Sequence, residues 1–214
     1  NPISGQEINS LQKLDFPIFH CIDYKETTPL GQTEWIRLIG LLYEKEELAD
    51  SLFRETENRY LSLAKLTEEF TERPCVFSEL KYGDFWHVPG GKSYLANLFR
   101  DAGADYRWKD DTHSGSIALS FEQVLDQAED CNYWLVKYFN PGGDLTLKQL
   151  SDDYKNYSLF SAFRNHTIYG CNTAKVSYYE ELPLHPDRLL KDLIYIFHPE
   201  LLPEHTLRYY QPLP

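Results

Sequence analysis

The sequence predicts an α/β fold: a Rossmann-like lobe with a mainly parallel sheet flanked by helices, preceded by a long connecting helix. Three observations predict it. From residue 73 onward, short apolar runs alternate with segments of helical period, the pattern of strands joined by helical crossovers. Before them, residues 44–70 carry one sustained helical pattern. The 214 residues, 42% hydrophobic and 25% charged, suffice for one or two domains with a sizeable core.

Each element has its own signal. "FPIFHCI" (16–22) is a short apolar run suited to a buried strand. "TTPLGQTEWIRLIGLLY" (27–43) opens with a threonine cap and Pro29, a good helix start. In 44–70, Leu48, Leu52, Tyr60, Leu63, Leu66 and Phe70 fall along one helical face, and acidic residues crowd its start, as the helix dipole favours. This helix is expected to run to some 25 residues and to end at "ERP". "PCVFSE" (74–79), "YWLVKY" (133–138) and "TIYGCN" (167–172) read as strands. Helices are expected at 93–104, ending in Gly103, at 120–130 with Ser120 as cap and Glu122 and Asp126 exposed, at 145–154, at 158–165 and at 185–202. In the last, Pro186 suits the first helical position and Pro199 marks the end.

Composition removes several function classes. A net charge of −12 argues against nucleic-acid binding, which needs basic clusters. No apolar run approaches the ~18 residues of a membrane span. There is no signal peptide, and the chain opens on Asn1, which fits a processed or truncated product. Cys21, Cys75, Cys131 and Cys171 are widely spaced without a C-x-x-C pair, so a zinc ribbon or thioredoxin-type site is not expected. Cys75 and Cys171 lie in apolar runs and read as buried free thiols. The seven histidines form no H-E-x-x-H pair, so no metal or cofactor site is expected.

The stretch "WHVPGGKSYLANLF" (86–99) imitates a phosphate-binding loop. A P-loop needs two glycines five residues apart before Lys-Ser, so that backbone N–H groups wrap a phosphate. Counting back from Gly91 gives Trp86, and Gly83 comes three residues too early. The better reading is a loop after a parallel strand, with Ser93 capping the next helix and Trp86 and His87 carried to the edge where open α/β sheets bind ligands. The alternative is that Trp86 merely covers a core edge. The aromatic share, 15% with 16 Tyr and 12 Phe, suits either a core or a surface for flat ligands.

Taken together, several stretches resemble the substrate-binding proteins of ABC importers for iron-siderophores, haem and cobalamin, which have two lobes joined by one long helix. "DYKETTPLGQTEWIRLIGLLY" resembles the segment leading into the connecting helix. "RPCVFSELKYGDFWHVPGGKSYLANLFRDAGADYRW", "LSFEQVLDQAEDCNYWLV", "LFSAFRNHTIYGCN" and "HPDRLLKDLIYIFHPELL" resemble successive pieces of the C-terminal lobe. The resemblance implies a remnant of the N-terminal lobe at 1–30, a helical connector at 31–72 and a C-terminal α/β lobe at 73–214. It also implies a periplasmic protein, lipid-anchored in its full-length form or not, that performs no chemistry. Such a protein captures a metal chelate and presents it to ABC permease subunits.

Residue by residue, the resemblance implies that Glu122 of "SFEQVL" docks into an arginine pocket of the permease. Read without it, Glu122 is simply an early glutamate of a well-capped helix. The resemblance likewise makes Trp86, His87, Tyr178 and Tyr179 ligand contacts, with Lys92 a partner for an anionic ligand. It puts Trp35 and Glu26 near the hinge, Trp35 as packing. Where some relatives place a tryptophan on the corrin, this chain has "SGSIAL" around Ser116, which weakens cobalamin among the ligands. Two rivals stay open: a non-transport metal- or haem-handling protein on the same fold, and an α/β enzyme. The latter lacks a G-x-S-x-G elbow or a complete G-x-G-x-x-G.

Overall fold

A computed structural model of the protein describes Lys13 and residues 19–214. The strand expected at 16–22 lies partly outside the described residues, and Phe19–Ile22 forms no strand.

Two helices open the described chain. In α1 (Pro29–Leu42), the Thr28 hydroxyl accepts from the Gly31 N–H and Pro29 occupies the first turn, where its missing N–H costs nothing. Glu44, at φ 55°, turns the chain into α2 (Glu46–Lys65), which packs antiparallel on α1. α2 has 20 residues, shorter than expected, and its buried face is Ala49, Phe53, Thr56 and Tyr60. Leu48 and Leu52, placed by their spacing on the apolar face, stand exposed, because α1 and the closing helix (Pro186–Phe197) meet α2 on the adjacent stripe.

Next come β1 (Cys75–Ser78), β2 (Lys81–Tyr82), β3 (Phe85–Pro89), α3 (Tyr94–Asp101), β4 (Asp105–Tyr106) and β5 (Ser116–Leu119). They are followed by α4 (Phe121–Ala128), β6 (Tyr133–Tyr138), α5 (Leu147–Asp153), α6 (Ser161–Arg164) and β7 (Ile168–Asn172). The chain finishes with α7 (Tyr178–Glu181), α8 (Pro186–Phe197) and β8 (Gln211–Pro212). The main sheet has the order β4-β1-β6-β7-β8, parallel except for β8. A second, antiparallel sheet has the order β2-β3-β5. The supposed loop at 80–92 is therefore largely a hairpin, which its turn and alternating burial hid inside an aromatic-rich run.

Alternation along β6 shows how the sheet is covered on both faces. Tyr133 meets Phe197 of α8, whereas Trp134 stacks on Phe77 and packs against Tyr157 and Phe160. Trp86 belongs to this second cluster and is fully buried. It covers the core edge and offers a ligand no surface.

The amino ends of the strands are fastened. Cys75 and Cys131 form a disulfide, correcting the reading of Cys75 as a free thiol. The turn into β6 lies beside the start of β1, a proximity that a sequence separation of 56 conceals. Asn132 Oδ1 accepts from the Cys75 N–H, and the Thr167 hydroxyl donates to the Asn132 carbonyl. Cys171 is a buried free thiol, its pKa pushed up to about 12 by burial.

The last eight residues send three side chains into the core. Fully buried Asp192 of α8 accepts from the backbone N–H groups of Arg208 and Tyr209, and pairs with His205 Nε2 at 2.7 Å. Tyr209, Tyr210 and Leu213 are buried, and the Leu147 N–H reaches the Pro214 carbonyl. Among the described residues, no helix is long and apolar enough to cross a membrane.

Candidate functional site

Strands β1, β6 and β7 run parallel, so their carboxyl ends share one edge. At the end of β1, Glu79 adopts a left-handed backbone, φ 69°, a conformation that non-glycine residues hold only when their surroundings impose it. Two buried indoles impose it here. Trp86 Nε1 donates to the Ser78 carbonyl at 3.0 Å, and Trp134 Nε1 to the Glu79 carbonyl at 2.8 Å. The Glu79 N–H also bonds the Leu135 carbonyl. Trp86 thus acts on this edge by positioning.

The Glu79 carboxylate is aimed at Lys137 near the end of β6, Nζ–Oε1 3.2 Å, both side chains 22% exposed. Burial works against the Lys137 charge, but Glu79 outweighs it and holds the ammonium above its ordinary pKa. The ammonium also lies 5.5 Å from the centre of the Tyr178 ring. At the end of β7, Asn172 donates to the carbonyls of Asn140 and Gly143 while its Oδ1 accepts from the Asn140 N–H, which fixes the 140–144 loop. Lys175 pairs with Asp144 at 2.7 Å.

Around this ion pair, each of the three strand ends leads to an exposed aromatic. After β1 come Tyr82 and Phe85, after β6 Phe139, and after β7 Tyr179. Exposed rings at neighbouring strand ends, beside a half-sheltered ion pair, present flat apolar faces with polar groups close by.

The residues read from the sequence divide. Tyr179 is 62% exposed, whereas Tyr178, its neighbour, is buried under Lys137 and is core. His87 is exposed on β3, opposite Ala118. Lys92 is exposed, and its N–H bonds the His113 carbonyl. The glycines before it have a packing reason: a Cβ at Gly90 or Gly91 would collide with the carbonyls of His113 or Lys109. Glu122 is exposed in the first turn of α4, above a Ser120–Gln123 capping box. Its own backbone N–H and the Ser120 hydroxyl hold its pKa below the ordinary value, with Lys81 adding a smaller pull. Trp35 is half-buried and its Nε1 donates to Glu26 at 2.9 Å. Ser116 opens β5 opposite Pro89. Sequence reasoning missed Glu79, Lys137 and Phe139. Their signal was a charged or aromatic residue directly ending an apolar strand, as in "VFSE" and "LVKYF". No metal-holding group of three or more His, Cys, Asp or Glu occurs among the described residues.

The family description that matches residues 3–174 is "Periplasmic binding protein". The chain belongs to that family. An uncharacterized lipoprotein of Methanocaldococcus jannaschii is 29% identical over 83% of this chain and 41% of its own length. A second uncharacterized lipoprotein of that organism is 24% identical over 94% and 51%. The chain thus spans about half the length of the curated relatives it matches. Among solved structures, the periplasmic heme-binding protein RhuT from Roseiflexus sp. RS-1 superposes with a TM-score of 0.71 at 16% identity, covering 92% of this chain and 73% of that one. A possible iron-binding (periplasmic solute-binding) protein from Staphylococcus epidermidis gives 0.68 at 16%, covering 90% and 70%. At these identities the structures establish the fold alone and bear out the α/β architecture read from the sequence, while the family match bears out the family.

Proposed function

We propose that this chain is the ligand-facing C-terminal half of an ABC importer's substrate-binding protein, which captures an iron-siderophore, haem or cobalamin-type chelate and hands it to the permease. In this reading residues 73–214 are the C-terminal lobe, 31–72 the connector and 1–30 the tail of the N-terminal lobe. The observation that carries it is the carboxyl edge, where three parallel strands each lead to an exposed aromatic around the Glu79–Lys137 pair. Tyr179 and Phe139 would lie against the flat faces of the chelate, with Lys137, His87 and Lys92 meeting its polar rim. The work is binding without catalysis, and no resident cofactor is needed.

Glu122 is the docking residue of the proposal: exposed, ionised and at a capped helix start, it suits an arginine on a permease subunit. The disulfide fits an oxidising compartment such as the periplasm, and the lipoprotein relatives make a lipid anchor on the whole protein part of the proposal. The test is a titration of the protein in its full natural length with hemin, cyanocobalamin and ferric siderophores. Saturable binding of one of them, weakened about tenfold or more in Tyr179→Ala and Phe139→Ala, supports the reading. Absence of saturable binding to all of them overturns it.

A further inference from the structure

We infer that the groove between α1, α2 and α8 is a second binding site, taking a short apolar peptide with a free amino terminus and a free carboxylate. The groove has a cavity volume of 860 Å³, within the range of small-molecule sites. None of the carboxyl-edge residues Glu79, Lys137 or Tyr179 lines it, so the inference stands apart from the chelate reading.

Its floor holds polar atoms without partners. Asp187 is 6% exposed; one carboxylate oxygen receives Arg59 Nε at 2.7 Å, while Oδ1 has no hydrogen-bond partner among the described residues. His185 Nδ1 is likewise buried and unpartnered. Burial, then the neighbouring Arg188, lowers the His185 pKa, and in the neutral imidazole Nδ1 accepts when the proton sits on Nε2. Buried acceptors without donors are uncommon in folded proteins. Arg59 Nε is turned to the other carboxylate oxygen and its terminal nitrogens to Glu55 and Thr56, and none of them reaches Oδ1. The floor therefore asks for an N–H donor from a ligand, and an ammonium answers the anionic carboxylate best.

The walls and rim specify the rest. Ile36, Phe53, Leu63 and Leu184 line one side, the last 40% exposed, and give an apolar body somewhere to lie. Lys191 stands exposed at the rim and enters no ion pair among the described residues. It provides a counter-charge for a carboxylate at the far end of the ligand. Amine inward, apolar side chains on the wall and carboxylate at the rim describe a di- or tripeptide.

Isothermal titration calorimetry of the protein with leucyl-leucine as the probe tests this. The expected result is saturable heat, with binding weakened about tenfold by N-acetylation of the probe and by Asp187→Asn. Lys191→Ala should weaken binding about fivefold and abolish the difference between the dipeptide and its C-terminal amide. Lys191 is exposed, so this variant keeps the test decisive even where Asp187→Asn melts early by circular dichroism. No saturable heat at millimolar dipeptide, or equal affinity for the acetylated probe, overturns the inference.

Discussion

The two ends of the parallel sheet are built on opposite plans. At the amino end, a disulfide and the Asn132 side chain tie β1 to the approach to β6, and the Thr167 hydroxyl ties the approach to β7 to the same turn. At the carboxyl end, no covalent tie is present among the described residues. Instead two indoles hold Glu79 in a left-handed turn, one ion pair is half-sheltered, and rings project into solvent. Closing one end lets the other tolerate exposed rings and an unfavourable backbone conformation, because neighbouring strands cannot splay. Under the proposed function, stability and recognition are thereby separated by the length of a strand.

That separation can be broken experimentally. The largest effect is expected at the closed end: Cys75→Ser with Cys131→Ser should lower unfolding free energy by about 4 kcal/mol, given the loop of 56 residues that the bond closes. Denaturant melts should show the loss, and ligand affinity of the remaining folded protein should stay within about twofold. Trp86→Phe should cost about 2 kcal/mol, since it thins the core and leaves the Ser78 carbonyl without its indole donor. Unlike the disulfide variant, it should also weaken the edge ligand, because Glu79 loses one of its restraints.

At the open end, Lys137→Gln should reduce chelate affinity about tenfold, roughly 1.4 kcal/mol, with a smaller change in melting. Equal losses in affinity from the disulfide and Lys137 variants would dissolve the contrast between the ends. A smaller effect comes from Glu181, whose pKa Arg208 first, then Tyr209 and Arg188, hold down at about 2. Because the folded value lies below the ordinary 4.5, its stabilisation is complete above pH 4.5 and is lost as pH falls toward 2. It should amount to about 1 kcal/mol once solvent around half-exposed Arg208 is allowed for, seen as falling melting temperature across that window. The smallest effect is that of His87→Ala, within about 0.5 kcal/mol in stability, leaving any change in chelate binding to be read cleanly.

The sequence exposed the helix caps and the three long parallel strands because their signals are local. Thr28, Ser93 and Ser120 each bond an N–H three residues on, and β6 coincides with "YWLVKY". What escaped it depends on contacts distant along the chain. Trp86 and His87 are adjacent, but pairing with β5 turns one inward and the other outward. Tyr178 and Tyr179 split in the same way, and only the packed structure shows which ring lies under Lys137. Cys75 paired with Cys131 was hidden for the same reason. Leu48 and Leu52 illustrate the reverse error, since helical period identifies an apolar stripe but not which neighbouring helices arrive to cover it.

Asp192 has a temporal consequence. It sits in α8, and the N–H groups it serves belong to residues made 16 and 17 positions later. The outer strand of the sheet, the lid of tyrosines over its core and the partner of Leu147 all come from residues 207–214. A nascent chain that has reached residue 206 therefore carries an open sheet edge and a buried-type carboxylate with no backbone donors. Only as residues 207–214 emerge do β7, Asp192 and Leu147 acquire these partners.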